Sequence, residues 1–233
     1  MQINNSDVRC ELLDVGYCRT PVIVVDNLLR DPGLLVDFCS ANYNFSRVDN
    51  YYPGVRMLAP KMYLHEVYSY LSVLFANVFG WEKESLSGGR AFYSLVVTPP
   101  DQLKPQQCLP HVDSFGDRDF ACVHYLCDEK KGGTSIYRHK KTGIERITED
   151  NVDYYNQAVN EEGALIQLEG SYMNGSNAYF EQIACVEAVF NRMVIYPANV
   201  LHSGNISKDF TFDSNPSRGR LTINSFLYSK RPS

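Results

Sequence analysis

His111-Val112-Asp113 places an imidazole and a carboxylate two residues apart. In an extended chain, residues i and i+2 face the same side, so both side chains can address one ion from one edge. Two such ligands hold a transition metal poorly, so a third must come from elsewhere. The chain has five histidines, at 65, 111, 124, 139 and 202. His202 lies just beyond the strand-like run Arg192–Pro197, within Val200-Leu201-His202-Ser203-Gly204. Two imidazoles and one carboxylate make the facial donor set that leaves coordination positions open on non-haem Fe(II). The bare tripeptide is a common surface pattern, so its surroundings decide its meaning.

Those surroundings divide into a helical third and a β-rich remainder. Pro21-Val22-Ile23-Val24-Val25-Asp26 is a β-branched run that reads as a strand. Asp31-Pro32 offers an N-cap and a first-turn proline for a helix reaching about Ala41, with Leu34, Leu35, Phe38 and Cys39 at helical spacing. Tyr51 to Arg56 reads as a turn flanked by aromatics, and a longer helix is expected from Lys61 to Phe79. From Gly88 onward, strand-like runs are expected at 90–98, 107–113, 120–126, 134–139, 180–190, 192–197 and 220–228. Pro99-Pro100, Ser114–Asp117, Gly132-Gly133 and Asn215-Pro216 punctuate them. Short strands at this spacing suggest a sandwich or a barrel. The segment 142–179 interrupts the pattern, with Thr148 able to cap a helix to about Val159. The expected organisation is a single domain over 1–233: a helical support with one strand over 1–87, and a β core over 88–228 carrying an insertion at 142–179.

The succession of motifs resembles the Fe(II)/2-oxoglutarate-dependent oxygenases, most closely the prolyl 4-hydroxylase-like branch. The matching stretches are His111-Val112-Asp113, then Val123–Asp128 with Gly132-Gly133-Thr134, then Met193–Pro197 leading to His202, and finally Arg220–Phe226. The resemblance covers roughly 88–228. It implies an α+β, mainly β fold: a double-stranded β-helix, the jelly-roll or cupin-like barrel, with supporting helices from the N-terminal third. It also implies a dioxygenase with Fe(II) as its metal and 2-oxoglutarate as cosubstrate, hydroxylating an amino acid, a peptide side chain or a small metabolite. By the same resemblance His111, Asp113 and His202 are the iron ligands. Arg220 pairs with the distal carboxylate of 2-oxoglutarate, for which a planar, always-charged guanidinium is suited. Arg218 has the same strand parity and stays open as the rival anchor. Tyr125 matches a tyrosine that hydrogen-bonds the cosubstrate; a half-buried strand aromatic is the alternative. Cys127 stands where the family has Asn, and the 142–179 insertion has no counterpart. Its place in the chain and its Tyr154-Tyr155 pair suggest a lid over the iron.

Alternation on the last strand supports an inward Arg220. Leu221, Ile223 and Leu227 share one face, while Arg220, Thr222, Asn224 and Phe226 share the other. A buried arginine there requires an anionic partner. The other candidates read as structural: His65 on a helix without a spaced partner, His124 facing away from the metal, His139 in a charged turn, and Arg192 in a hairpin turn. Arg56 either reaches a substrate or cosubstrate carboxylate or makes a surface salt bridge.

Composition removes other classes. The chain of 233 residues is 44% hydrophobic and 21% charged, too apolar for disorder, and large enough to bury a core without staples. Twenty-two Lys and Arg against 27 Asp and Glu give a net charge of −5, so no nucleic-acid partner is expected. No apolar run reaches membrane-spanning length and no signal peptide opens the chain, hence no membrane association and a cytoplasmic expectation. Seven scattered cysteines without a C-x-x-C pair argue against a disulfide framework or thiolate zinc site. No nucleophile elbow, phosphate loop or H-E-x-x-H helix appears. Two rivals remain: a cupin-like module that binds a metal or small acid without turnover, and a metal-dependent hydrolase or isomerase on the same ligands. The oligomeric state is open.

Overall fold

Side-chain alternation along the strands builds two apolar layers, one on each face of a large antiparallel sheet. The computed structural model describes residues 1–47, 52–82, 86–163, 168 and 170–229. The chain begins with β1 (Arg9–Val15), β2 (Thr20–Asp26), helix α1 (Gly33–Ala41), β3 (Ser46–Arg47) and β4 (Gly54–Leu58). Helix α2 (Lys61–Phe79), β5 (Leu86–Val96), β6 (Phe120–Tyr125) and β7 (Thr134–His139) follow. Helix α3 (Val152–Glu161), β8 (Phe180–Val186), β9 (Met193–Pro197), β10 (His202–Gly204) and β11 (Leu221–Ser229) complete it. Eight strands pair in the order β1-β2-β9-β6-β11-β5-β4-β3, and three in the order β10-β7-β8. Every pairing is antiparallel. Among the described residues no strand pairing joins the two sheets; they meet through side chains. The expected mainly β architecture with supporting helices is present at this level.

One face of the eight-stranded sheet carries Ile23, Val25, Tyr93, Leu95, Met193, Ile195, Leu221, Ile223 and Leu227 against Leu35 and Cys39 of α1 and Tyr63, Val67, Leu71 and Phe75 of α2. The buried residues of α2 recur every four positions, the spacing that keeps one stripe on the sheet. Phe75 packs 4.6 Å from Phe120 and 5.6 Å from Trp81 by ring centroids. At 1% exposure, Phe75 contributes about 2–3 kcal/mol of hydrophobic stabilisation. The other face carries Val22, Val24, Ala121, Val123, Tyr125, Val194 and Tyr196 against Ile136 and Val186 of the smaller sheet. The last strand behaves as its alternation predicts: Leu221, Ile223 and Leu227 face the helices, and Arg220, Asn224 and Phe226 face a cavity on the opposite side.

Several local expectations are corrected. The stretch 107–113 is not a strand. Pro105–Cys108 is a short 3-10 turn, after which the backbone makes a single bridge, His111 to His202. Proline at 105 and 110 removes two donors a ladder would need. The turn expected at Tyr51–Arg56 contains the start of β4, because Val55 and Arg56 find partners in Leu95 and Ser94 of β5; Tyr51 lies outside the described residues. The hairpin of β1 and β2 escapes the sequence pattern, since β1 is an exposed edge strand whose order comes from its partner. Asp31 makes no side-chain cap on α1, and α3 starts at Val152 rather than near Thr148. All seven cysteines are free, with Cys39, Cys108, Cys122 and Cys127 buried.

Among the described part of the insertion, α3 packs away from the cavity. Tyr155 is buried with Tyr137, Phe180 and Leu201, and Tyr154 is exposed. The insertion's contribution to the cavity wall is Tyr172; residues 164–167 and 169 lie outside the described set. A lid built from the Tyr154-Tyr155 pair is therefore not what this fold makes. His139 also departs from expectation. Its ring is fully buried at the end of β7, bonded to Thr142 and Glu162 and packed on Tyr155 and Phe180.

Candidate active site

A cavity of about 420 Å³ lies between the two sheets, walled by alternate residues of β5 and β11, by the middle of β6 and by β10. This is the size range of small-molecule sites. His111, Asp113 and His202 converge at this cavity, with one ligand atom from each lying within 4.8 Å of the others. Asp113 Oδ2 is 3.3 Å from His202 Nε2, and its Oδ1 is 3.9 Å from His111 Nε2. The two imidazole rings are 4.4 Å apart between centroids.

Backbone bonds, rather than strand continuity, bring the three together. His111 and His202 pair across an antiparallel bridge, and the Asp113 N–H donates to the Ala198 carbonyl at 2.8 Å. His202 Nδ1 lies 2.9 Å from the carbonyl of Val200. A carbonyl only accepts, so Nδ1 carries a proton, and Nε2 is the ring atom turned toward Asp113. Burial pushes the His111 imidazole down to about 4, with the charge on His202 adding to the effect. Burial raises the Asp113 carboxyl, but the charge and hydrogen bond of His202 outweigh it and hold Asp113 below its ordinary value. Near neutral pH His111 is thus a free base and Asp113 an anion, the states in which these groups ligate a metal. The 3.3 and 3.9 Å separations allow Asp113 and either imidazole to reach one first-row cation at about 2.1 Å, and the donor types suit a divalent metal.

Arg220 lies deep in the same cavity, 4% exposed. Its Nε donates to the Gly132 carbonyl at 3.2 Å and its Nη2 to the Gly133 carbonyl at 2.8 Å. Both positions need glycine because other backbone passes close by. A Cβ at Gly132 would sit 1.9 Å from the Asn205 carbonyl oxygen, one at Gly133 equally close to that of Val186, and Gly132 has φ of +75°. No acidic side chain pairs with Arg220 among the described residues, and Nη1 remains for an anion entering the cavity. Arg218 does not share this place. It is exposed and paired with Asp213, with Nε at 2.7 Å from Oδ2.

Tyr125 is fully buried and does not itself line the cavity; its hydroxyl donates at 2.6 Å to Thr134, which does. Its ring centroid lies 5.8 Å from the Arg220 guanidinium carbon, so it braces the arginine's neighbourhood. Tyr196 packs 4.6 Å from the His202 ring. His124 points to the helical side, stacked on Tyr63 and bonded to Asn191. His65 is exposed on α2. Arg192 occupies a hairpin turn and grips Asp26 with two nitrogens.

The sequence pattern missed part of the wall. Arg90 and Phe92 on β5, Tyr172 and Gln107 all line the cavity. The first two follow from the parity that sends Phe226 inward, since Phe226 pairs with Arg90 and Asn224 with Phe92. Arg56 makes no surface salt bridge among the described residues; it turns into the cavity, its guanidinium over the rings of Tyr52, Phe92 and Phe226.

The model of a family described as a family of unknown function (DUF6445) matches residues 6–227. The chain belongs to that family. No curated protein matches it. Among solved structures, a prolyl-4-hydroxylase of Pseudomonas putida is 12% identical with a TM-score of 0.46, over 96% of this chain and 92% of that one. SnoK, a non-heme alpha ketoglutarate dependent carbocyclase from nogalamycin biosynthesis, is 12% identical with a TM-score of 0.49, over 91% and 80%. HygX of Streptomyces hygroscopicus, with nickel and 2-oxoglutarate bound, is 12% identical with a TM-score of 0.46, over 89% and 82%. These likenesses assign no role to any residue of this chain and do not single out the prolyl 4-hydroxylase-like branch. No helix among the described residues is long and apolar enough to cross a membrane.

Proposed function

We propose that the protein is a jelly-roll oxygenase dependent on Fe(II) and 2-oxoglutarate, acting on an amino acid, a peptide side chain or another small metabolite. The observation that carries this reading is the shared cavity: three convergent donors from His111, Asp113 and His202, with the buried guanidinium of Arg220 facing the same space. The three side chains hold the metal on one face and leave its other positions to the cavity. Arg220 pairs with the distal carboxylate of 2-oxoglutarate, held rigid by the Gly132 and Gly133 carbonyls. Tyr125 keeps Thr134 oriented at the cavity wall. Fe(II) with its cosubstrate supplies the oxidation of an unactivated C–H bond by dioxygen, coupled to decarboxylation of 2-oxoglutarate to succinate. The chain's own part is donor geometry, cosubstrate orientation and exclusion of water.

The test is anaerobic addition of Fe(II) and 2-oxoglutarate to the purified protein. A weak visible charge-transfer band is expected, absent from His111→Ala, followed by succinate release when air is admitted. A protein that binds divalent metal yet gives neither band nor succinate is not an oxygenase, and hydrolase activity with zinc would replace the reading.

A further inference from the structure

The oxygenase reading leaves the cavity with more positive charge than it uses. Its described lining carries three guanidinium groups, Arg56, Arg90 and Arg220, and a single carboxylate, Asp113. This concentration stands out in a chain of net charge −5. A divalent metal and a dianionic cosubstrate cancel one another, so the excess persists in the loaded site and draws anions into it.

Arg56 is the group best placed to use that excess. It lies on β4 opposite Ser94, with its guanidinium carbon 4.4 Å from the Tyr52 ring centroid, 5.6 Å from Phe226 and 5.9 Å from Phe92. Its Nε is buried and has no hydrogen-bond partner. Desolvation works against its charge, and an unpaired buried donor is costly unless a ligand satisfies it. Arg220, by contrast, already spends two of its nitrogens on backbone carbonyls. Arg56 and Phe92 also line a second groove together with Phe38, Met57 and Leu58.

We propose that Arg56 binds a carboxylate of the primary substrate, whose apolar body lies against the adjoining rings of Phe92 and Phe226. The substrate class is then a small carboxylic acid rather than a neutral peptide side chain. This deepens the oxygenase reading and rests on it. A planar monoanion matches the fork of one guanidinium stacked among flat rings. A phosphate dianion matches less well, because the aromatic surroundings offer few further donors and Asp113 stands nearby.

The experiment uses ligand-observed NMR titrations of hexanoate and 3-phenylpropionate against the full-length protein, without metal and again with Ni(II) and 2-oxoglutarate. Both carboxylates are expected to bind, their primary amides at least about tenfold more weakly. Arg56→Gln is expected to weaken the carboxylates by about tenfold or more. Arg56→Lys keeps the charge, loses the two-pronged geometry, and is expected to lose roughly threefold; it decides the matter should the Gln variant not fold. The proposal is overturned if the amides bind as well as the acids, or if inorganic phosphate binds more tightly than either. It is equally overturned if 2-oxoglutarate displaces the probes competitively, or if Arg56→Gln and Arg220→Gln lose 2-oxoglutarate affinity alike. Arg56-dependent carboxylate binding in a protein that takes up no Ni(II) or 2-oxoglutarate supports the anion site and removes the oxygenase reading alone.

Discussion

His111 and His202 exchange both of their backbone hydrogen bonds, each N–H donating to the other's carbonyl at 2.9 Å. The pairing of the two ligand-bearing segments is therefore a main-chain property and does not depend on what the imidazoles bind. Substituting either side chain removes a donor and leaves the segments side by side.

His202→Ala should accordingly lose divalent-metal affinity by about 100-fold or more while unfolding within about 1–2 kcal/mol of the parent. Calorimetric titration with Ni(II) and a urea melt of the metal-free variant measure the two quantities. A variant that binds metal normally refutes the assignment of this site.

Arg220→Ala removes the donors to two carbonyls as well as a cation. A loss of about 2–3 kcal/mol in stability is expected from the stranded acceptors. A rise of at least about tenfold in the 2-oxoglutarate dissociation constant should accompany it. Arg218→Ala, at an exposed position paired with Asp213, should change neither. Equal effects of the two variants on cosubstrate binding would remove Arg220 from its role.

Gly133→Ala tests the close approach behind Arg220. The new Cβ would fall 1.9 Å from the Val186 carbonyl oxygen, with backbone rather than a flexible side-chain end in the way. The loop must move, and a destabilisation of about 2–4 kcal/mol is expected, measured as a drop in the unfolding midpoint. An unchanged midpoint would mean that the hairpin is looser than its geometry.

The pH dependence of stability should carry the mark of His124. Burial pushes its imidazole down to about 4, and the neutral ring is doubly satisfied, accepting from Tyr63 and donating to Asn191. Its folded value lies below the unfolded one, so the unfolded chain takes up the proton first. Stability is then full above about pH 6.5 and falls as the pH drops toward 4, by up to about 3 kcal/mol. Urea midpoints of the metal-free protein between pH 7 and 4 should show this fall, and a His124→Gln variant a flatter profile. Equal slopes would assign the acid sensitivity to other groups, His111 first.

Much of this architecture was legible in the chain because it rests on alternation. The inward parity of Arg220, Asn224 and Phe226 is visible in the sequence and recurs in the cavity wall. The helix at Lys61–Phe79 shows itself through its four-residue stripe and closes at Gly80, with φ of +67°. Edge strand β1 was not legible: its first four side chains are all exposed, so no alternation marks it, and its order is lent by β2.

The candidate site was legible as residue types and illegible as geometry. His111 and Asp113 converge through bonds to His202 and Ala198, not through the strand their spacing suggested. The sequence could not choose between the two readings of Arg56, because the rings around it come from three different segments, which no local window contains together. The buried His139 was hidden by its charged neighbours Arg138, Lys140 and Lys141, although its own ring belongs to the cluster around Tyr155 and Phe180.

The segment bearing His111 and Asp113 is tied by its main chain only to Ala198 and His202 among the described backbone contacts. A cation seated there adds a side-chain stitch across that seam. Amide exchange at residues 111 and 113 should then slow when the ion is present and quicken when it is chelated. The molecule's local breathing becomes a gauge of its metal content.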